Sequence, residues 1–258
     1  MKITVITSNL PRHNYLVNCL SKLNCDLFVI QECQTHFPGI ADNAHYKVNS
    51  EIKKYFQEVN KSQNKFFKKN TKLQLDKVKI KSLSFNDLNM FKIADLSTFL
   101  KSDLYIVFGS SYLKGDLVNF LIKKKAINIH MGVSPYYRGT DCNFWAVADR
   151  NFHLVGATVH LLSKGVDSGE ILFHSLPKHY ENPFDFTMSS VKSVINNICK
   201  LIKTKKIFKL NSKKQNKIDE IRYTTKKNFD EKKIKLYRKI KKIKKITYDK
   251  SLYVNPQF

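Results

Sequence analysis

Apolar and polar positions along this chain switch repeatedly between a period of two and a period near 3.6, and the switches mark out the elements. Lys2 to Ser8 alternates as an opening strand, Asn9-Leu10-Pro11 reads as a turn and helix start, and Tyr15, Leu16, Cys19, Leu20 and Leu23 follow at helical spacing. Cys25 to Ile30 is an apolar second strand, so the chain opens β-α-β like a mononucleotide-binding half, yet it lacks G-x-G-x-x-G and implies no dinucleotide. Phe37 to Gln74 is polar and lysine-rich, with Tyr55, Val59 and Phe66-Phe67 in helical segments, and is expected to be an insertion lying on the domain. Lys77 to Leu83 alternates as a strand, Phe85 to Phe91 and Ala94 to Lys101 read as helices, and Leu104 to Phe108 is a short apolar strand that ends at Gly109. Leu117 to Ile122 then forms a helix that returns the chain to a strand at 126–130, a spacing that predicts a right-handed parallel crossover. Asn143 to Ala148 reads as a short helix that buries Trp145. After Pro183, the residues Val191, Val194, Ile195, Ile198 and Ile202 make the stripe of a helix closing over a sheet.

This order predicts an α/β, Rossmann-like architecture, a mostly parallel twisted sheet with helices on both faces, over residues 1–203. Residues 204–258 are expected to be a lysine-rich, partly helical C-terminal extension, with a strand at Ile221 to Tyr223 and a basic amphipathic helix from Glu231 to Ile246. Lys+Arg of 46 against Asp+Glu of 21 leaves a net charge of +25, and the extension holds more than half of it. Such a balance favours anionic partners, phosphates, nucleic acid or a membrane surface, but a lysine-rich coding bias accounts for it equally well. For the extension itself, packing on the parent domain, attraction of phosphates and contact with a membrane surface all stay open.

The 5 cysteines include no Cys-x-x-Cys, and the histidines show no recurrent ligand spacing, so reduced thiols and no metal are expected. The first residues alternate as a strand and no apolar run approaches about 18 residues, which points to a cytoplasmic protein without a transmembrane segment.

Chemistry concentrates in two stretches. In Ala126 to Gly139, AINIHMGVSPYYRG, a strand brings Asn128 and His130 to the same face where it ends in a turn. In Gly156 to Leu172, GATVHLLSKGVDSGEIL, a second strand ends in a tight turn that presents Asp167. A carboxamide, an imidazole and a carboxylate on two turns suit proton handling, because histidine titrates near neutrality and a carboxylate can orient it or a water. Arg138, between Tyr137 and Gly139, either pairs with a phosphate or carboxylate or pins its turn to backbone carbonyls.

In order and interval, Asn128-x-His130, Pro135-x-Tyr137-Arg138-Gly139, Gly156-Ala-Thr-Val-His160 and Gly165-Val166-Asp167-Ser168-Gly169 resemble the 10-formyltetrahydrofolate-dependent formyltransferases, which include methionyl-tRNA, glycinamide ribonucleotide and sugar N-formyltransferases. The resemblance covers roughly residues 1–205. It departs where the family carries Pro-Ser-Leu-Leu after the histidine and this chain has Met131-Gly132-Val133-Ser134.

The resemblance implies the family fold and formyl transfer from 10-formyltetrahydrofolate to a primary amine, with Asn128 donating to the oxyanion, His130 relaying protons and Asp167 tuning that histidine. It implies a loop, Gly109, Ser110, Ser111, Tyr112 and Leu113, that encloses the donor's pterin together with Val166. Tyr137 and Arg138 are the acceptor-side candidates, and His160, although often matched in the family, reads as structural. A small amine on a nucleotide-linked sugar is the expected acceptor, and a homodimer is an admissible assembly. The rival readings are a methionyl-tRNA formyltransferase that holds tRNA through the basic extension, a hydrolase releasing formate from the same donor, and a non-catalytic basic RNA- or membrane-binding protein.

Overall fold

The computed structural model describes residues 1–34, 50–73 and 78–258. The parts of the expected insertion at 37–49 and 74, and Lys77 of the expected third strand, lie outside the described residues.

In chain order the elements are β1 (Lys2–Ser8), α1 (Pro11–Ser21), β2 (Asp26–Cys33), α2 (Ser50–Phe67), β3 (Val78–Ser84), β4 (Leu104–Phe108), α3 (Gly115–Lys123), β5 (Ile127–His130), β6 (Tyr137–Gly139), α4 (Cys142–Ala148), β7 (Ala157–Leu161), β8 (Ile171–Ser175), α5 (Pro183–Lys203), β9 (Arg222–Thr224) and α6 (Glu231–Lys239). Among the described residues, seven strands form one sheet in the order β3-β2-β1-β4-β5-β7-β8. It is parallel from β3 to β5 and antiparallel at β7 and β8. The fold is therefore α/β with a mixed, mostly parallel sheet, as the alternation of elements predicted.

The chain winds outward from β1 to β2 and β3, then restarts at β4 on the other side of β1, so the order reverses between β1 and β4. A reversal of this kind leaves a crevice at the carboxyl ends of the two strands, because their connections leave in opposite directions. The strands beside it are apolar on both faces, β1 and β4 almost wholly buried, since helices cover the sheet above and below. One core packs α1 and α5 on the sheet through Leu16, Leu20, Val194 and Ile198, and the opposite core packs Leu117 and Leu121 of α3 against Ile6 and Val107.

A third, largely aromatic core gathers Tyr55 of α2, Phe144 and Trp145 of α4, and Phe229 and Tyr237 of the C-terminal extension. Phe144 stacks on Tyr237 at 5.1 Å and meets Phe229 at 4.8 Å. Trp145 is buried here, as its helical spacing predicted, with the Arg222 guanidinium 4.7 Å over its ring. The extension thus packs on the parent domain, and β9 adds a parallel partner to β6.

Three helical expectations are corrected. The stretches at 85–91 and 94–101 form only single 3-10 turns, Asp87–Met90 and Ala94–Leu96, because they bury Leu88, Leu96 and Leu100 as isolated plugs with no continuous stripe. The last helix ends at Lys239, not Ile246. Beyond it Ile243 is buried in an irregular segment whose amide donates to the Glu181 carbonyl at 2.8 Å, a bond that replaces the next helical one.

Candidate active site

β5 runs into the crevice, and its period of two sends Asn128 and His130 out on one face. β7 lies antiparallel beside it and sets His160 opposite Asn128. The turn after β7 brings Asp167 back over both, with its backbone at φ 47°, a left-handed conformation that aspartate tolerates.

Four side chains then interlock. The Asn128 amide nitrogen lies 3.0 Å from His160 Nε2 and donates to Asp167 Oδ1 at 3.3 Å. His160 Nδ1 lies 2.8 Å from the Leu161 carbonyl, to which it donates, leaving Nε2 to accept from Asn128. Asp167 Oδ2 accepts from the Gly139 amide at 3.1 Å and faces His130 Nδ1 at 3.2 Å. The other His130 nitrogen, Nε2, lies 3.1 Å from the Tyr137 carbonyl.

Burial lowers the pKa of His130, outweighing Asp167 and the Tyr137 carbonyl, which pull it up. Burial alone would raise the Asp167 carboxyl, but the charge of His130 in its protonated form, the His160 ring and the Gly139 amide overcome it and hold it down at about 2. The pair at neutral pH is a carboxylate beside a neutral imidazole, an arrangement able to accept a proton and to stabilise the imidazolium that results.

These groups open into a cavity of about 540 Å³, which Gly109, Ser110, Ser111, Tyr112, Leu113 and Val166 also line. Gly109 stands at φ +68°, and a Cβ there would come 2.4 Å from His13 Nε2, so glycine is required for turn and space alike. The loop is anchored by Glu32, fully buried at the end of β2, which accepts from the Ser111 amide at 2.6 Å, the Ser111 hydroxyl at 2.8 Å and the Asn86 amide at 3.0 Å. Tyr112 Oη donates to the Lys164 carbonyl at 3.0 Å and so ties this loop to the turn that carries Asp167.

Tyr137 and Arg138 are not brought into the cavity. Tyr137 is 1% exposed and its hydroxyl meets Asp149 at 3.2 Å and Asn151 at 2.7 Å. Arg138 donates to the Val166 carbonyl at 2.7 Å and pairs with Glu220 at 2.8 Å, which fits the turn-pinning of its two sequence readings.

The C-terminal extension backs this turn. Gln215 donates to the carbonyls of Asp167 at 2.8 Å and Gly169 at 2.7 Å. Gly139, at φ +94°, lies so close to β9 that a Cβ would sit 1.9 Å from the Thr224 carbonyl oxygen. Gly132 has a similar reason: a Cβ there would come 2.5 Å from both His130 Nε2 and Cys142 Cβ, leaving no room for the serine of the resembled motif.

Sequence reasoning missed the contact of His160 with the catalytic candidates, and missed Glu32, Gln215 and Lys226, the last of which lines the cavity. The signals were a histidine on the inner alternation of β7 and a carboxylate inside an apolar strand.

No family model matches this chain, and no curated protein does. Solved structures do, over most of its length. A 4-N formyltransferase from Francisella tularensis superposes with a TM-score of 0.53 at 21% identity, covering 87% of this chain and 76% of that one. Glycinamide ribonucleotide transformylase 1 from Symbiobacterium toebii gives 0.53 at 13% identity, covering 84% and 94%. An N-formyltransferase from Helicobacter canadensis, solved with folinic acid and dTDP-3-aminofucose, gives 0.51 at 15% identity, covering 89% and 72%. The fold is that of the formyltransferases.

Proposed function

We propose that this chain is a cytoplasmic N-formyltransferase that moves a formyl group from 10-formyltetrahydrofolate to a primary amine on a nucleotide-linked sugar. The observation that carries the reading is the convergence of Asn128, His130 and Asp167 on the wall of one cavity beside the sheet's reversal point, within the formyltransferase fold. The Helicobacter canadensis structure holds a folate and an amino sugar linked to a nucleotide, which supports both substrate classes.

The cavity suits the donor: Val107, Leu113, Val118 and Leu162 offer apolar contact for a flat ring, and the backbone of the 109–113 loop borders it. The donor supplies an N-formyl carbon, and the acceptor amine bonds to that carbon as the bond to the folate nitrogen breaks. His130, neutral and buried, takes the proton that the amine loses at Nε2, the nitrogen not held by Asp167, once that nitrogen has left the Tyr137 carbonyl, and returns it to the departing folate nitrogen. Asp167 holds the imidazole through Nδ1 and stabilises its charged form. Asn128 serves the formyl oxygen as negative charge gathers there, exchanging its longer bond, 3.3 Å to Asp167, for one to that oxygen while keeping the 3.0 Å contact to His160.

The test is titration with folinic acid, then turnover with 10-formyltetrahydrofolate and a panel of nucleotide-linked amino sugars. Folinic acid should bind, formyl transfer should need an amine, and Asn128→Ala should lose about 10²- to 10³-fold in kcat with the fold intact. Full-rate formate release without an amine would establish a hydrolase instead, and absence of folate binding would sink the enzyme reading.

A further inference from the structure

We infer that Lys226, carried by the C-terminal extension into the wall of the catalytic cavity, binds an anionic group of the amine acceptor, the phosphate or pyrophosphate of a nucleotide-linked amine. The inference rests on the proposed function and names the residue that would select its acceptor.

Among the described residues lining the cavity, Arg12 and Lys226 are the permanent cations and Asp167 is the carboxylate. Asp167 is taken up by His130, Asn128 and the Gly139 amide. Arg12 donates to the Gln63 side chain at 2.7 Å. Lys226 differs: among the described residues no carboxylate lies within ion-pair distance of it, in a chain where Lys65, Lys235 and Lys242 each hold one. Desolvation at the cavity rim lowers its pKa although the side chain stays largely exposed, and Asp141 pulls the other way. An ammonium that lines the cavity, stays accessible and has no carboxylate in ion-pair contact among the described residues can meet an incoming anion without first breaking a salt bridge.

The backbone that carries the lysine is pinned on both sides. Two residues before it, Thr224 closes the β6–β9 ladder: its carbonyl accepts from Thr140 at 2.9 Å and its hydroxyl donates to the Thr140 carbonyl at 2.6 Å. The Thr225 amide donates to Asn228 Oδ1 at 2.7 Å, closing the turn around Lys226 itself. One residue further, Phe229 is locked into the aromatic core, 5.4 Å from Tyr55 and 4.8 Å from Phe144. The turn pinned by Thr224 is Gly139–Thr140, which lines the cavity and whose Gly139 amide holds Asp167. The cation and the catalytic carboxylate are therefore positioned by one short segment, so an acceptor whose anion docks at Lys226 is aligned with the proton-handling groups at small entropic cost.

The test uses the full chain as wild type, Lys226→Met, Lys226→Arg and, as a control for surface charge, Lys227→Met, each checked for folding by its thermal transition. Calorimetric titrations with inorganic pyrophosphate, uridine diphosphate and folinic acid read the site. Lys226→Met should weaken pyrophosphate and uridine diphosphate about ten- to a hundred-fold. Lys226→Arg should stay within a few-fold of wild type, and Lys227→Met should match it.

Folinic acid affinity should be the same in all four proteins. A loss of folinic acid affinity in Lys226→Met would overturn the inference, since the lysine would then serve the donor's carboxylates. Equal losses in Lys226→Met and Lys227→Met, or tight tRNA binding weakened equally by both, would overturn it in favour of diffuse polyanion attraction. Folinic acid binding without any binding of pyrophosphate or uridine diphosphate to wild type sinks this inference alone, whereas failure of all three ligands sinks the functional reading beneath it.

Discussion

A buried histidine between a carboxylate and a carbonyl is poised by opposing effects, and His130 shows the balance residue by residue. Burial disfavours its imidazolium, while Asp167 at 3.2 Å and the Tyr137 carbonyl at 3.1 Å favour it, and burial prevails. The sign for a variant follows. Asp167→Asn keeps the shape of the turn, because asparagine also accepts the left-handed backbone, but removes the charge that raises the His130 pKa. The His130 ring signals, followed by NMR through a pH titration, should therefore titrate below the usual histidine range in wild type and at still lower pH in Asp167→Asn. A midpoint that moved upward in the variant would show that Asp167 does not stabilise the imidazolium. Turnover should fall as well, since the neutral amide no longer supports the charge that His130 acquires.

Among the elements, the C-terminal extension makes the largest difference to the site without supplying a catalytic candidate. Its β9 pairs with β6, its Gln215 and Glu220 hold the turns of Asp167 and Arg138, and its Phe229, Ile234 and Tyr237 are buried in the aromatic core. Cutting the chain after residue 228 would remove those three side chains and expose Tyr55 and Phe144, so such a truncation is expected to destabilise the whole domain and not merely to release an arm. A gentler probe is Phe229→Ala. It should cost about 3–5 kcal/mol as a large-to-small change in a packed core, read as a lowered midpoint in urea. Because Phe229 follows the Lys226 turn, the surviving folded fraction should also bind pyrophosphate more weakly than wild type. A variant with an unchanged midpoint would show that the extension is not integral to the fold.

For the molecule as a whole, buried neutral histidines couple stability to pH. His174 accepts from the Val254 amide at 2.8 Å through Nδ1 and donates to the Ser134 carbonyl at 2.7 Å through Nε2, so the neutral ring satisfies both partners. Burial lowers its pKa to about 4, whereas the unfolded chain takes up the proton near 6.5. The unfolded state therefore binds the proton first as pH falls. Stability is lost between about 6.5 and about 4 and levels off below, at a cost of about 3 kcal/mol for this one group. Thermal melts across that window should fall steadily. His174→Gln should start lower at pH 7.5 and fall less steeply, and an equally steep fall would remove His174 from the account. The net charge of +25 adds self-repulsion that deepens on acidification, so salt should flatten both curves without abolishing their difference.

What the sequence determined by itself was local: the β-α-β opening, the stripe of α5, the shared face of Asn128 and His130, and the glycine that ends β4. Each follows from residues a few positions apart, whose spacing relative to the period of a strand or helix decides which face they share. The tertiary structure decided what depends on distant partners. Arg138 is claimed by a carboxylate 82 residues away, Glu32 meets a loop 79 residues on, and neither pairing leaves a mark in the local period. The extension hid its docking because its few core residues, Phe229, Ile234, Tyr237 and Ile243, are scattered among lysines, and a diluted apolar pattern does not distinguish a packed segment from a solvated one. Which lysine among so many would line the cavity was set by the ladder between β6 and β9, a contact that exists only once the chain has closed on itself.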